Sequence, residues 1–133
     1  MNLILTSGKR KRAVARAVIR PGKGVVKINN RLLQHHQPEI ARLKIFELLM
    51  LAENRASKFD ISVKVFGGGS MGQSDAARLA IAKGLVIATK DKKLEKLYLD
   101  YDRHLLVADV RRREVRKPNT HGKARSKRQK SYR

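Results

Sequence analysis

The chain contains no cysteine, which excludes disulfides and thiolate metal sites and leaves the redox compartment open. It has no tryptophan, three phenylalanines and three tyrosines. Modules that read single-stranded RNA stack bases on aromatic platforms, so recognition here is expected to lean on phosphates and shape. Long apolar runs are missing too. The longest, Leu48-Leu49-Met50-Leu51-Ala52, falls far short of a membrane span, and Leu3-Ile4-Leu5 is too short for the core of a signal peptide. An intracellular, soluble protein is expected. Acids are the scarcest charged class, 11 against 32 Lys and Arg, for a net charge of +21. A compact body with that charge repels itself, and a polyanion relieves the repulsion. Nucleic acid adds the entropy of released counterions. A membrane surface fits less well, because no basic amphipathic helix with an aromatic rim is visible.

What is present suits one domain of modest core: 133 residues, 41% of them hydrophobic. The charge is unevenly spread. Residues 1–30 hold eight cations and no acid, residues 31–102 hold twelve cations and nine acids, and residues 103–133 hold twelve cations and two acids. This is a balanced body between two basic flanks, and the expected division is a globular α+β domain over 1–108 and an extended basic tail over 109–133.

From Arg12 to Arg20 the sequence alternates. Ala13, Ala15, Ala17 and Ile19 fall on one side and Arg12, Arg16 and Arg20 on the other, the period of a half-buried strand. Pro21-Gly22 suits a turn, and Val25 to Asn29 reads as a return strand completing a hairpin. Pro38-Glu39 opens a helix whose buried stripe is Ala41, Ile45, Leu48 and Ala52, and whose second half, apolar nearly all round, is expected to sit deep. Asp60 to Phe66 is a strand with Ile61, Val63 and Val65 inward. After Gly67-Gly68-Gly69 a long helix spans about Met71 to Thr89, with Ala76, Ala80 and Gly84 permitting close packing on a sheet. Leu94, Leu97, Tyr98 and Tyr101 mark a short helix, and Leu105 to Val107 a last strand. Phe46, Phe59 and Phe66 are expected in the core. Beyond Arg111 there is little to bury, so the end is expected to be extended.

Gly67-Gly68-Gly69-Ser70-Met71-Gly72 satisfies G-x-G-x-x-G between a strand and a helix. A dinucleotide fold would next require a second parallel strand ending in an acid, whereas Lys90-Asp91-Lys92-Lys93 leads into another helix. A P-loop fails because Gln73 and Ser74 follow Gly72. The glycines then answer to a backbone approached closely, by another segment or by a phosphate, and both remain open. His35, His36, His104 and His121 share no ligand spacing. Asp100 and Asp102 have a simple salt-bridge partner in Arg103, and no nucleophile motif appears, so neither metal, cofactor nor catalytic residue is expected.

These segments together resemble the universal small-subunit ribosomal protein nine family. Gly67 through Arg78, continuing Ala82-Lys83-Gly84-Leu85, resembles its glycine triplet, glutamine and small-residue helix. Gly8 through Arg16 resembles its basic first segment, and Asp109, Arg111, Glu114, Arg116 and Lys117 its late D-x-R-x-x-E-R-K pattern. Gln129-Lys130-Ser131-Tyr132-Arg133 is similar to the end of the archaeal and eukaryotic-cytoplasmic branch. Val110, often proline in the family, and Thr120-His121 depart from the pattern. The resemblance implies an α+β fold with helices on one face of a sheet and a left-handed βαβ crossover, against the usual hand, and an extended basic C-terminal tail. It implies a cytoplasmic, non-enzymatic constituent of the small-subunit head, with neighbouring head proteins as partners. Small-subunit rRNA would be bound by Lys9, Arg10, Lys11, Arg12, Arg16, Arg20, Gly67, Gly68, Gly69, Gln73, Arg111, Arg112, Arg113, Arg116, Lys117, Lys123 and Arg125. Peptidyl-site tRNA would be touched by Lys127, Arg128, Lys130, Tyr132 and Arg133. A DNA-compacting protein would share the charge, and an RNA-modifying enzyme would need a pocket and a nucleophile that cannot be assembled from this sequence.

Overall fold

The computed structural model describes residues 3–127, 129 and 131. Five strands form one sheet in the order β1-β2-β5-β3-β4: β1 Ile4–Arg10, β2 Ala13–Pro21, β3 Val26–Ile28, β4 Arg31–Leu32 and β5 Phe59–Phe66. Three helices follow or interrupt them, α1 Glu39–Ala52, α2 Ser70–Thr89 and α3 Lys92–Tyr101. The alternation in β2 does what its period requires: Ala13, Ala15, Ala17 and Ile19 are buried, while Arg16 and Arg20 are exposed on the opposite face. Strand β5 repeats the pattern with Ile61, Val63 and Val65. The helices cover the buried face, and the other face is open.

The hairpin is not the one expected. Strand β2 pairs antiparallel with β1 and β5, from Arg10↔Ala13 to Ile4↔Ile19 on one side and from Val14↔Phe66 to Pro21↔Phe59 on the other. Strand β3 lies beyond β5, parallel to it and antiparallel to β4. The Pro21-Gly22 segment therefore does not fold β3 back on β2; it carries the chain across the start of β5. Gly22 N–H donates to the Lys58 carbonyl at 2.9 Å, and Asp60 accepts from the N–H groups of Lys23 and Val25, both at 2.9 Å. The true hairpin, β1–β2, turns through Lys11 and Arg12 with Lys11 at φ 52°. Neither residue is the glycine or asparagine that usually marks so tight a turn.

Strand β1 escaped the pattern because its inward positions include Thr6 and Gly8. Both are small for one reason: α2 crosses here at backbone distance. A Cβ on Gly8 would run into the Ala76 carbonyl and stand 2.8 Å from Ala80 N, and one on Gly84 would collide with Ile19 Cδ1. Thr6 Oγ1 donates to the Ala80 carbonyl at 2.8 Å. The stripe Ala76, Ala80 and Gly84 is the surface that lets this happen.

Helix α1 buries Ala41, Ile45, Leu48 and Ala52 as expected, but its second half is not enclosed. Met50 is 75% exposed, and Ile40 and Leu43 nearer the start of the helix are exposed in lesser degree, because the helices form a single layer over the sheet. Helix α3 is anchored by Leu94 and Tyr98, the buried phenol donating to the Leu48 carbonyl at 3.2 Å, whereas Leu97 and Tyr101 are exposed. The expected strand at Leu105–Val107 is instead a turn of 3-10 helix, Arg103–Leu105, capped by Asp102 and burying Leu105. Phe46 and Phe59 pack against the core, but Phe66 lies on the open face at 50% exposure. From Ala108 onward the described residues form no strand or helix, and those beyond Asp109 are nearly all exposed.

Gly8→Val is expected to destabilise the fold by about 1–3 kcal/mol or more, since the new side chain meets the α2 backbone at both Ala76 and Ala80. Urea unfolding checks this, and an unchanged midpoint would contradict the close approach.

Candidate nucleic-acid interface

The open face of the sheet collects cations by register. Arg16 and Arg20 project from β2, Lys9 from β1, Lys64 from β5 directly beside Arg16, and Lys27 from β3 beside Ser62. The Arg16 guanidinium sits 5.6 Å from the centroid of the Phe66 ring, a cation–π contact that orients it without removing its charge. The acid on this side, Asp60, is occupied by the N–H groups of the 22–25 turn, which hold its carboxyl below the usual range. Lys64 and Lys27 were not singled out from the sequence. Their outward parity was legible, but the pairing that brings them beside Arg16 and Ser62 was not.

Arg12 does not join this face. It falls in the β1–β2 turn, at the mouth of an open groove of about 1490 Å³. The near wall of the groove is Lys11 and Arg12, the floor Gly68 to Gly72, and the far wall the segment from Arg111 to Arg116. The floor explains the glycine triplet. Gly67 and Gly68 have φ of +75° and +64°, and a Cβ on them would stand 2.6 Å from the Arg12 carbonyl and 3.0 Å from Ala13 N. Another segment of the chain is what approaches these two residues. Gly69 is different: nothing lies within 4 Å of its Cβ position, and it caps α2 without a side-chain hydrogen bond at the floor of the groove. Gln73 is used internally, its amide donating to the Gly67 carbonyl at 3.1 Å.

The far wall is tied down by one carboxylate. Asp109 lies 2.8 Å from Arg10 Nη1 and accepts from Arg111 through its backbone N–H at 3.0 Å, Nε at 3.0 Å and Nη2 at 2.7 Å. The Arg111 contacts, with Arg10 beside them, push the Asp109 carboxyl far below its ordinary value. Arg10, on the inner side of β1, also approaches Asp75 of α2 at 4.0 Å, and Asp75 is held by Lys44 of α1 at 2.8 Å. Arg112 donates to the Asp109 and Arg111 carbonyls, and Arg125 to Glu114 at 2.9 Å. Arg113, Arg116, Lys117, Lys123 and Lys127 are exposed. Arg128, Lys130, Tyr132 and Arg133 lie outside the described residues.

Other expected pairings change. Asp102 meets Arg78 at 3.4 Å rather than Arg103, and Arg78 also holds Glu47 at 2.8 Å, so this acid belongs to a bridge between α1, α2 and the end of α3. Among the described residues no group of three or more His, Asp or Glu could hold a metal ion, and no helix is long and apolar enough to cross a membrane. Strand β5 leads into α2 and then α3, not into the next strand of a dinucleotide fold.

The sequence profile of the ribosomal protein S9/S16 family matches residues 8–133. The chain belongs to this family. Two S9 relatives show how closely. The small ribosomal subunit protein uS9 of Thermoplasma volcanium is 50% identical over 133 residues, all of both chains. That of Thermoplasma acidophilum is 49% identical over 130 residues, 98% of this chain and all of its own. Both sources are archaea, in keeping with the ending at 129–133. S9 proteins are ribosomal structural proteins and not enzymes.

Two outcomes follow for this S9 chain. Gly68→Val should cost about 1–3 kcal/mol in thermal unfolding, from the left-handed backbone and the Ala13 contact. The stabilisation that Asp109 supplies relative to Asp109→Asn should be full above the ordinary carboxylate range. It should shrink progressively as pH falls from the ordinary carboxylate value towards the depressed folded one, because a lowered pKa means the ionised form favours the fold. Paired pH-dependent urea titrations read this, and a difference that grew on acidification would contradict the ion pair.

Proposed function

We propose that this S9-family chain is an RNA-binding constituent of the small-subunit head in the cytoplasmic ribosome. The observation that carries the reading is the open sheet face, where Lys9, Arg16, Arg20, Lys27 and Lys64 point outward and the nearby acid is consumed internally. Cations spaced by a sheet suit phosphates held at fixed positions in a folded RNA. On this face the exposed ring of Phe66 is occupied by Arg16, which argues against base stacking there. Lys11, Arg12, Arg113 and Arg116 add a second phosphate-facing set at the groove. Arg10 and Arg111 contribute by holding that set in place, and Lys117, Lys123 and Arg125 continue it outward. Residues 109–133 would act as an arm rather than part of the domain. Its last seven residues hold four cations, Lys127, Arg128, Lys130 and Arg133, and no acid. Such a segment orders only against a polyanion. On this reading that polyanion is the peptidyl-site tRNA, with Tyr132 helping to set the path. Neighbouring head proteins complete the partners, and neither a membrane nor a small-molecule substrate is part of the reading.

Affinity for a transcript of the chain's own head rRNA should fall with salt, by about 0.9 in log–log slope per phosphate contact. Replacing Arg16, Arg20 and Lys64 together with Ala should flatten that slope by about 2.7 while the fold survives. An unchanged slope, or equal affinity for duplex DNA, would contradict the assignment. Deleting residues 127–133 should leave subunit assembly nearly intact and speed tRNA dissociation from the peptidyl site of purified subunits. Poor assembly with unchanged tRNA dissociation would make the arm an assembly anchor instead.

A further inference from the structure

We propose that the groove between the β1–β2 turn and residues 111–116 takes one run of RNA phosphodiester backbone, and that Asp109 is the positioning residue that sets its far wall before RNA arrives. The proposal rests on the RNA-binding reading and says where one strand lies and what prepares the place.

The two walls are held by different means. Lys11 and Arg12 stand on a hairpin whose turn is packed against Gly67 and Gly68, so their position follows from the fold. Arg112, Arg113 and Arg116 stand on a segment with neither strand nor helix. Left alone, such a segment would spread over many conformations, and its cations would face the groove only part of the time. Asp109 prevents this. Its side chain is 11% exposed although the residues after it are exposed, and it joins Arg10 of β1 to Arg111 of the segment. Arg10 is in turn backed by Asp75 of α2 and Lys44 of α1. The wall is therefore referred to the same two helices that cover the sheet.

The lining identifies the ligand class. Seven Lys and Arg residues line the groove, Arg10 and Arg111 bound to Asp109 and the others on its two walls, over a glycine-rich floor with one acid, Glu114, and no aromatic ring. Glu114 is paired with Arg125. That lining neutralises one backbone from two sides and offers no stacking surface.

Charge and position make opposite predictions for Asp109→Asn, which is what makes the idea testable. The variant is more positive by one charge, so attraction alone would tighten binding to the head rRNA transcript. Loss of a prepared wall should instead weaken it, by about tenfold. Because the chain has no cysteine, Ser70→Cys with Val115→Cys places spin labels only on the floor and the far wall of the groove. Without RNA the distance distribution should be narrow with Asp109 present and broad in Asp109→Asn. The double variant Arg10→Gln with Asp109→Asn removes the guanidinium left unpaired, so it must show the same broadening and weakening if the single variant folds poorly. Binding as tight as the parent chain's, or an unchanged distribution, overturns the proposal. Failure of the parent chain to prefer the transcript over duplex DNA would overturn the RNA reading instead, and the label distances would still decide the part played by Asp109.

Discussion

Helix α2 meets β1 almost backbone to backbone and takes the Ile19 side chain of β2 against Gly84, and the rest of the molecule depends on that approach. Gly8 faces the Ala76 carbonyl and Ala80 N, and Gly84 faces Ile19. Close contact leaves no room for the helix to slide or roll, since dense packing has few neighbouring minima. It fixes where α2 begins, hence where the glycine loop must turn. That loop in turn lies against Arg12 and Ala13. Three glycine-dependent contacts thus convert the inward face of a two-stranded hairpin into the frame from which every outward cation is measured.

Charge is partitioned by the same frame. A chain of +21 cannot afford acids that do nothing, and most of those described are engaged. Asp60 closes the 22–25 turn, Asp75 and Asp109 hold Arg10, Glu47 and Asp102 hold Arg78, and Asp91 caps α3 while meeting Arg55 at 2.8 Å. Several of these pairs are half exposed, where each contributes little to stability by itself. Their effect is geometric. They consume Arg10, Arg78 and Arg55 as internal struts and leave Arg16, Arg20, Lys64, Arg113 and Arg116 directed outward. A count of basic residues would rate all of these equally, and the distinction lies in which have an acid within reach.

Legibility followed locality. Strand β2, strand β5, the stripe of α1 and the small-residue face of α2 were readable because each is a period in one stretch of sequence. Strand β1 was not, because Thr6 and Gly8 serve a helix some 70 residues later in the chain (Thr6 bonds Ala80). The β2–β3 hairpin was misread because Pro21-Gly22 is a strong turn signal that says nothing about which strand comes next to which. The turn that matters, Lys11-Arg12, carries no signal. Leu105 looked like a strand residue because a lone buried leucine has no period. Among the candidate site residues, parity identified Arg16 and Arg20. Nothing short of the Arg16↔Lys64 register could add Lys64, or separate Arg10, a strut, from its neighbours Lys9 and Lys11. The resemblance supplied the family, which the sequence profile bore out.

The strand order 1-2-5-3-4 also has a consequence for how the chain is made. Synthesis delivers the N-terminus first, yet β2 finds its second neighbour only when β5 emerges, as the pairing of Val14 with Phe66 requires. The hairpin must therefore wait, its alanine-rich face uncovered, until α2 has followed. Contacts of such long sequence separation are slow to form, and waiting surfaces are the ones chaperones and premature partners meet. Arg10 waits longest. Asp109 is nearly the last described residue to be synthesised that any element of the body holds, so the groove cannot take shape until almost the whole chain has left the machine that makes it.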